Sequence, residues 1–402
     1  MCAILGLYGV RKAAEITAQA LHCQQHRAED YAGAASSNGT DLFDEYGSGL
    51  VQDALTKEKL NRLHGTAAIG HTRYPTVIGE EKLAWEKGLF NVQPIEGMYG
   101  AERFFLAHNG NIVNYDVLKT RFPDIRFKTT VDSEIIVRLL ERTCSGNLIE
   151  DLRSVMQHLE GSGSILILFK DRLVAIRDPS GCKPLIWGRL GDGYVFSSED
   201  CAFETIDAKY EGEVEAGTIV IIENGERSVH PFAPARLKKC LFELWYLGHP
   251  TSSKMFDMPI LALRENAGEL MERKYPVPGA DTVIGVPDSG VAFAAGYARS
   301  GRSGSLSLGI TRHHHTGRTF IQATDNLQLE KARQKYQRSR HAIAGKKVVL
   351  VDDSIVRLTT APIVAKMLWD AGAAEVHFRI AFPPIKHPCF YGVKMEARGR
   401  LI

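Results

Sequence analysis

Val348-Val349-Leu350-Val351-Asp352-Asp353-Ser354-Ile355-Val356-Arg357-Leu358-Thr359-Thr360 decides the architecture of the second half of the chain. Four apolar residues in a row, closed by charge, read as a strand buried on both faces. The strand ends in two carboxylates, and hydroxyl residues then open a helix over Ala361–Trp369. Thr282–Val286 followed by Asp288-Ser289-Gly290 repeats the grammar upstream. Strand, turn and helix in repetition predict an α/β doubly wound parallel sheet. Ligands bind at the carboxyl ends of such strands. Helix N-terminal N–H groups suit a phosphate there, and paired carboxylates suit ribose hydroxyls and a divalent ion. The plainer reading is that Asp352 and Asp353 only cap the helix.

Working back toward the start, residues 1–235 carry a different pattern. Cys2–Tyr8, Thr66–His71, Arg103–His108, Ser164–Phe169, Arg172–Arg177 and Thr218–Ile222 read as short strands. Helices are expected at Lys12–Gln25 and at Asp132–Thr143, the latter after an Asp-Ser-Glu start signal. That mixture predicts an α+β layered domain. The character changes near Pro234, where a basic stretch runs to Cys240, so domains are expected at 2–235 and 236–402. Thr324–Arg340 is charged and poor in large apolar residues, and reads as a surface loop or exposed helix, long enough for a lid.

With 402 residues, 44% hydrophobic and 24% charged, the composition is that of a soluble globular protein of two domains. A net charge of +2 points to neither a nucleic-acid nor a membrane partner. The longest apolar runs fall far short of a bilayer span, and no cationic start with an apolar run opens the chain. The seven cysteines are scattered and odd in number, so a reduced, cytoplasmic protein is expected.

Removal of Met1 leaves Cys2 with an α-amine beside its thiol. Unperturbed, these groups titrate at ~8 and ~8.5, so the amine can serve as base for its own nucleophile. Alone, a cysteine at position 2 reads as just a small apolar residue. Gly70-His71-Thr72-Arg73-Tyr74-Pro75-Thr76 then sets a guanidinium at a strand end. Asn91-Val92-Gln93-Pro94, Ala107-His108-Asn109-Gly110-Asn111-Ile112-Val113-Asn114 and Val131-Asp132-Ser133-Glu134 follow. Singly, Arg73 reads as a surface ion pair, Asp132 as a helix cap and Asn109-Gly110 as a hairpin turn. Together they resemble, in order and spacing, the glutaminase domain of class II glutamine amidotransferases, an N-terminal nucleophile fold. The resemblance implies that Cys2 attacks glutamine, that Arg73 pairs with its carboxylate and Asp132 with its ammonium. It implies an oxyanion hole from the Asn109 amide and the Gly110 N–H, with Arg27 in the glutamine-binding set. One departure is His26-Arg27-Ala28-Glu29-Asp30-Tyr31-Ala32-Gly33, where the family reads His-Arg-Gly-Gln-Glu-Ser-Ala-Gly.

Val351–Arg357 resembles the phosphoribosyl pyrophosphate motif of type I phosphoribosyltransferases. With Arg177-Asp178-Pro179, Ser197-Ser198-Glu199, Cys240-Leu241-Phe242-Glu243, Val286–Gly290, Gly317–Ile321 and Pro383–Gly392, the chain is similar throughout to the amidophosphoribosyltransferases, the family that opens purine biosynthesis. The similarity implies glutamine and phosphoribosyl pyrophosphate as substrates and phosphoribosylamine as product. It sets Asp288, Ser289, Arg333, Lys335, Asp352, Asp353, Ser354, Thr359 and Thr360 around the second substrate, and Asp352 and Asp353 on Mg²⁺. Cys240 and Cys389 resemble two ligands of an iron–sulfur cluster held by one branch of the family. The other two would fall beyond Ile402, so no cluster is expected.

Three departures touch the acceptor half. Leu358 stands where the family has a glycine close to the 5′-phosphate. Asp325-Asn326-Leu327-Gln328 replaces Gln-x-x-Arg, so Gln328 stands in place of a cation. Arg312-His313-His314-His315 replaces Lys-Asn-Arg-Tyr; its histidines read as an exposed polar run or as a metal or anion site. These changes leave the acceptor open between phosphoribosyl pyrophosphate and another small molecule, as in a paralogue of specialised metabolism. A ligand-binding regulator is a third reading, opposed by the intact Cys2, Arg73, Asn109 and Asp132. A homo-oligomer is expected.

Overall fold

A computed structural model describes residues 2–74, 91–313, 335–356 and 360–393. The chain divides into two compact units. The first runs to Leu241 and also takes in Ser252–Asp257 and Cys389–Val393; the second comprises Phe242–Thr251 and Met258–Pro388.

In the first unit the strands are β1 (Ala3–Tyr8), β2 (Tyr31–Ser37), β3 (Leu42–Ser48), β4 (Ala67–Arg73), β5 (Ile95–Tyr99), β6 (Glu102–Ile112) and β7 (Gly161–Leu168). They continue with β8 (Arg172–Arg177), β9 (Ile186–Leu190), β10 (Gly193–Ser197), β11 (Lys209–Glu213), β12 (Thr218–Glu223) and β13 (Glu226–Pro231). They build two antiparallel sheets, ordered β11-β9-β10-β1-β4-β2-β3 and β13-β12-β8-β7-β6-β5.

Alternation along the strands sorts their residues into layers. Ile4, Ile69, Phe105, Ala107, Leu166 and Leu168 meet between the sheets. Ala3, Leu5 and Leu7 face outward onto the helices Ala13–Cys23 and Cys201–Thr205. Phe104, Leu106, Ile165 and Ile167 face outward onto Glu134–Thr143 and Leu148–His158. The result is helices, sheet, sheet, helices: the layered α+β domain that the pattern predicts. Each strand core expected from sequence is present, with ends moved by a few residues.

The second unit holds a parallel sheet, β14 (Thr282–Gly285), β15 (Ser305–Leu306), β18 (Lys347–Asp352) and β19 (Glu375–Ile380), ordered β15-β14-β18-β19. β16 (Ile310–Arg312) and β17 (Tyr336–Arg338) pair separately. The predicted strand 348–351 is buried on both faces. Val348 and Leu350 pack toward helix Thr360–Asp370, and Val349 and Val351 toward Ile260–Lys274 and Gly290–Ala298. Helices on both faces make the sheet doubly wound. The expected loop at Thr324–Arg340 is corrected at its end: Tyr336 lies in β17 and is buried. Its ring joins the apolar cluster of Ile310, Ile343 and Leu350, which outweighs the charged neighbours. No described helix is long and apolar enough to cross a membrane.

Candidate active site

Cys2 directly precedes β1, and the register Ala3↔Thr72, continued by one residue, sets it opposite Arg73 at the end of β4. The chain start is pinned on several sides. Ala3 N–H donates to Thr72 Oγ1 at 3.3 Å and Ile4 N–H to Ser198 Oγ at 3.1 Å. Arg27 Nε donates to the Cys2 carbonyl at 2.9 Å. Arg27, 1% exposed, is also ion-paired through Nη1 with buried Glu199. Glu199 in turn accepts from Ser252 Oγ at 2.8 Å and contacts His26 Nε2 at 3.1 Å. The guanidinium of Arg27 thus lies against the backbone of Cys2.

Asn109 shares the inter-sheet face with Ala107 and Phe105, and its Nδ2 donates to Ser198 Oγ at 3.4 Å. Ser198 therefore links Asn109 to the strand that carries Cys2. Next to it, β6 presents a row of N–H groups. Gly163 uses its own N–H and carbonyl on Asp178, at 3.0 and 3.1 Å. In the antiparallel pair Gly110↔Gly163, the N–H of Gly110 therefore points away from β7. The same edge carries His108 N–H, taken by Gln93 Oε1 at 2.6 Å, and Ile112 N–H, taken by Asp132 Oδ2 at 2.7 Å. The Gly110 donor lies between them. A Cβ at Gly110 would come within 2.0 Å of Ser162 O and 2.4 Å of His108 Nε2, so only glycine fits.

Arg73 is buried and donates to the Asn91 carbonyl. Asn91 is locked to Thr130 by Nδ2→Oγ1 at 2.7 Å and by Thr130 N–H→Oδ1 at 2.9 Å. Beside Asp132, Ser133 Oγ meets His108 Nδ1 at 2.8 Å and Gln93 Nε2 at 3.3 Å. Burial holds His108 below the ordinary imidazole range, and burial together with the Arg73 charge lowers His71 to about 3. Both rings are neutral at pH 7. Cys2, Asn109, Gly110, Arg73 and Asp132 thus gather at one end of the two sheets. Ser198, Glu199, Gln93 and Ser133 support them and were not singled out for roles by sequence. Their only signal was their place inside the quoted motifs.

In the second unit Asp352 ends β18 and Asp353 follows it. Ser289 Oγ donates to Asp353 Oδ1 and Ser354 Oγ to Oδ2, both at 2.5 Å. Asp353 N–H donates to Asp352 Oδ1 at 2.9 Å. Burial and the Asp353 charge push Asp352 up to about 8, and burial also raises Asp353. Asp288 is engaged by Arg312 Nη1 at 2.7 Å. Lys335 stands 5.0 Å from the Tyr336 ring centroid, and its charge draws the Asp352 carboxyl back down. A Cβ on Gly290 would sit 2.6 Å from Val351 O, so the helix start presses against the strand end. Ser289, Asp352, Asp353 and Ser354 are therefore together. Arg333, Thr359, Leu358, Gln328, His314, His315 and Gly317–Ile321 lie outside the described residues, as does the side chain of Thr360.

The model of the glutamine amidotransferase domain matches residues 82–205. A protein of Arabidopsis thaliana, amidophosphoribosyltransferase 3, chloroplastic, is 38% identical over 406 residues, covering all of this chain and 74% of its own length. The amidophosphoribosyltransferase of Bacillus subtilis is 36% identical over 407 residues, covering all of this chain and 83% of its own. Among solved structures, the allosteric regulatory enzyme of purine biosynthesis superposes with a TM-score of 0.92 at 35% identity, over all of this chain and 85% of that one. Glutamine phosphoribosylpyrophosphate amidotransferase from B. subtilis, complexed with ADP and GMP, gives 0.91 at 35% identity, over all of this chain and 86% of that one. The likeness spans both units, including the acceptor half that the domain model leaves out.

Proposed function

The chain belongs to the amidophosphoribosyltransferase family, and from that premise we propose which of its residues carry each half of the reaction. The enzyme hydrolyses glutamine and transfers the ammonia to phosphoribosyl pyrophosphate, giving phosphoribosylamine. Nothing in these relatives favours a different acceptor or a non-catalytic role.

The α-amine of Cys2 takes the thiol proton, and the sulfur attacks the side-chain amide carbon of glutamine. Negative charge gathers on the amide oxygen, where Asn109 Nδ2 and Gly110 N–H stabilise it. Ammonia leaves with the proton returned by the amine, and water then cleaves the thioester. Arg73 and Asp132 hold the two charges of the amino acid. Arg27 acts one step back, fixing the Cys2 carbonyl and with it the direction of the thiol. The observation that carries this reading is the Gly110 N–H, aimed off the edge of β6 between two fixed neighbours.

Asp352 and Asp353 meet the ribose hydroxyls, with Ser289, Ser354 and the following helix start on the phosphate side. Asp352, raised by burial and the Asp353 charge, and the buried Asp353, raised by burial, form a donor set that a divalent cation neutralises, which fits Mg²⁺. Bound there, Mg²⁺ supplies charge compensation for departing pyrophosphate. Seven free thiols accord with a reducing compartment.

Cys2→Ala tests the first half. Glutamine-dependent product formation should vanish while ammonia-dependent formation stays near wild type. Glutamine hydrolysis at the wild-type rate in this variant would remove Cys2 from the mechanism. Calorimetry on Asp352→Asn with Asp353→Asn tests the second, and unchanged phosphoribosyl pyrophosphate binding would reduce both carboxylates to helix caps.

A further inference from the structure

Side-chain hydroxyls hold the start of β1 from both sides. Ala3 N–H is taken by Thr72 Oγ1 on β4 at 3.3 Å, and Ile4 N–H by Ser198 Oγ, just past β10, at 3.1 Å. Ser198 N–H in turn donates to the Ile4 carbonyl at 3.1 Å. One residue thus grips Ile4 at both its N–H and its carbonyl, and the serine side chain, fully buried, is fixed in one direction. A second donor meets the same oxygen. Asn109 Nδ2 lies 3.4 Å from Ser198 Oγ, and Asn109 is buried as well. A serine oxygen has two lone pairs, and Ile4 and Asn109 take one each.

We propose that Ser198 is a positioning residue for glutamine hydrolysis, whose Oγ aims the Asn109 amide at the oxygen where charge develops. The proposal rests on the reading of Asn109 as an oxyanion donor. Ser198 touches neither the substrate nor the nucleophile; it acts through the amide that it holds.

The physical reason lies in the shape of the amide. Its nitrogen carries two hydrogens in one plane, and the terminal torsion of asparagine is broad when nothing holds it. With one hydrogen spent on Ser198, the plane is held and the second hydrogen keeps a single direction. An oxyanion donor contributes by being aimed before charge appears, so that nothing reorganises during the step. The same oxygen is tied to Ile4, two residues beyond Cys2. Ser198 therefore sets the donor on β6 in a fixed relation to the strand that begins beside the nucleophile.

A double-mutant cycle on the full chain, read in steady-state glutaminase kinetics, tests this. Ser198→Ala should lower kcat about tenfold with KM for glutamine unchanged, since losing an oxyanion donor outright costs about 10²–10³. In an Asn109→Ala background no amide is left to aim, and Ser198→Ala should cost nothing further. Ser198→Cys keeps the volume and puts a weak acceptor in place of the oxygen, and it carries the same cycle should the alanine variant fail to fold. The same loss in both backgrounds would mean that Ser198 acts through β1 alone. A loss confined to KM would place it in substrate binding. Either result overturns the proposal. Wild-type kcat in Asn109→Ala is a distinct failure: it removes the oxyanion role itself, and the proposal falls with it.

Discussion

Arg27 holds the carbonyl oxygen of Cys2 at 2.9 Å with its Nε, while its Nη1 is spent on Glu199. A guanidinium has donors in a fixed plane, so pairing one edge with a carboxylate orients the other. The residue thereby fixes the backbone of Cys2, the proposed nucleophile, from a position out of solvent. Its side chain is 1% exposed.

Breaking that pair should be costly in stability before it is costly in chemistry. Both side chains are buried, so Arg27→Met takes from Glu199 its guanidinium and leaves it Ser252 and His26, at a cost of up to about 3–5 kcal/mol. Urea unfolding of the single variant should show that loss. The double variant Arg27→Met with Glu199→Met should recover part of it. Single-variant stability within about 0.5 kcal/mol of wild type would mean the pair is relaxed or hydrated.

Gly110→Ala should lose stability and also fail to catalyse well, so its kinetics are read on the folded fraction that urea unfolding defines. The added Cβ would fall 2.0 Å from Ser162 O and 2.4 Å from His108 Nε2, so the backbone of β6 must move away from β7 where the proposed oxyanion donor sits. Loss of one such donor typically lowers kcat by about 10²–10³. Steady-state glutaminase kinetics should show the loss mainly in kcat, with ammonia-dependent synthesis spared. A change confined to KM would move the oxyanion donor elsewhere.

Ser133 orients Asp132. If His108 Nδ1–H and Gln93 Nε2–H both donate to Ser133 Oγ, the hydroxyl proton is left for Asp132 Oδ1, 3.5 Å away. The other His108 nitrogen is then a buried acceptor without a donor, which costs less than an orphaned N–H. Ser133→Ala should raise the KM for glutamine about five- to tenfold, from a lost bond of roughly 1 kcal/mol. Hydrolysis of an analogue lacking the α-amine should be unaffected. An equal loss on both substrates would separate Ser133 from ammonium recognition.

Much of this was legible because period and punctuation agree with the fold. Val348–Val351 is apolar on both faces because helices cover both, and the sequence pattern says so directly. β2 was missed: Ala32–Ser36 are small residues lying under helix and sheet, and smallness carries no β signal. Nor does local pattern reveal that Ser252–Asp257 returns to the first unit, where Ser252 completes the Glu199 shell. Arg27 enters the glutamine-binding set in sequence through the resemblance alone, and its partner Glu199, 172 residues away, is not legible there. Contacts at such separation carry no periodicity.

Asp352 should make the fold less stable as pH rises. Its folded pKa stands near 8, well above the ordinary carboxyl value of 3.8, because burial and the Asp353 charge disfavour ionisation. Between those two values the native state holds a proton that the unfolded chain has released. The unfolded state then binds fewer protons, so stability falls with pH across that window and levels off above about 8. Asp353 shifts the same way and adds to the slope. Urea unfolding at pH 5, 6.5 and 8 without divalent ions should therefore give a declining series. Asp352→Asn cannot ionise, and should flatten it and be the more stable protein at pH 8. Saturating Mg²⁺ should also flatten the wild-type series from the alkaline end, since a cation held by the ionised pair stabilises the native state. Equal slopes for wild type and Asp352→Asn would show that the carboxyl is hydrated and ionises normally.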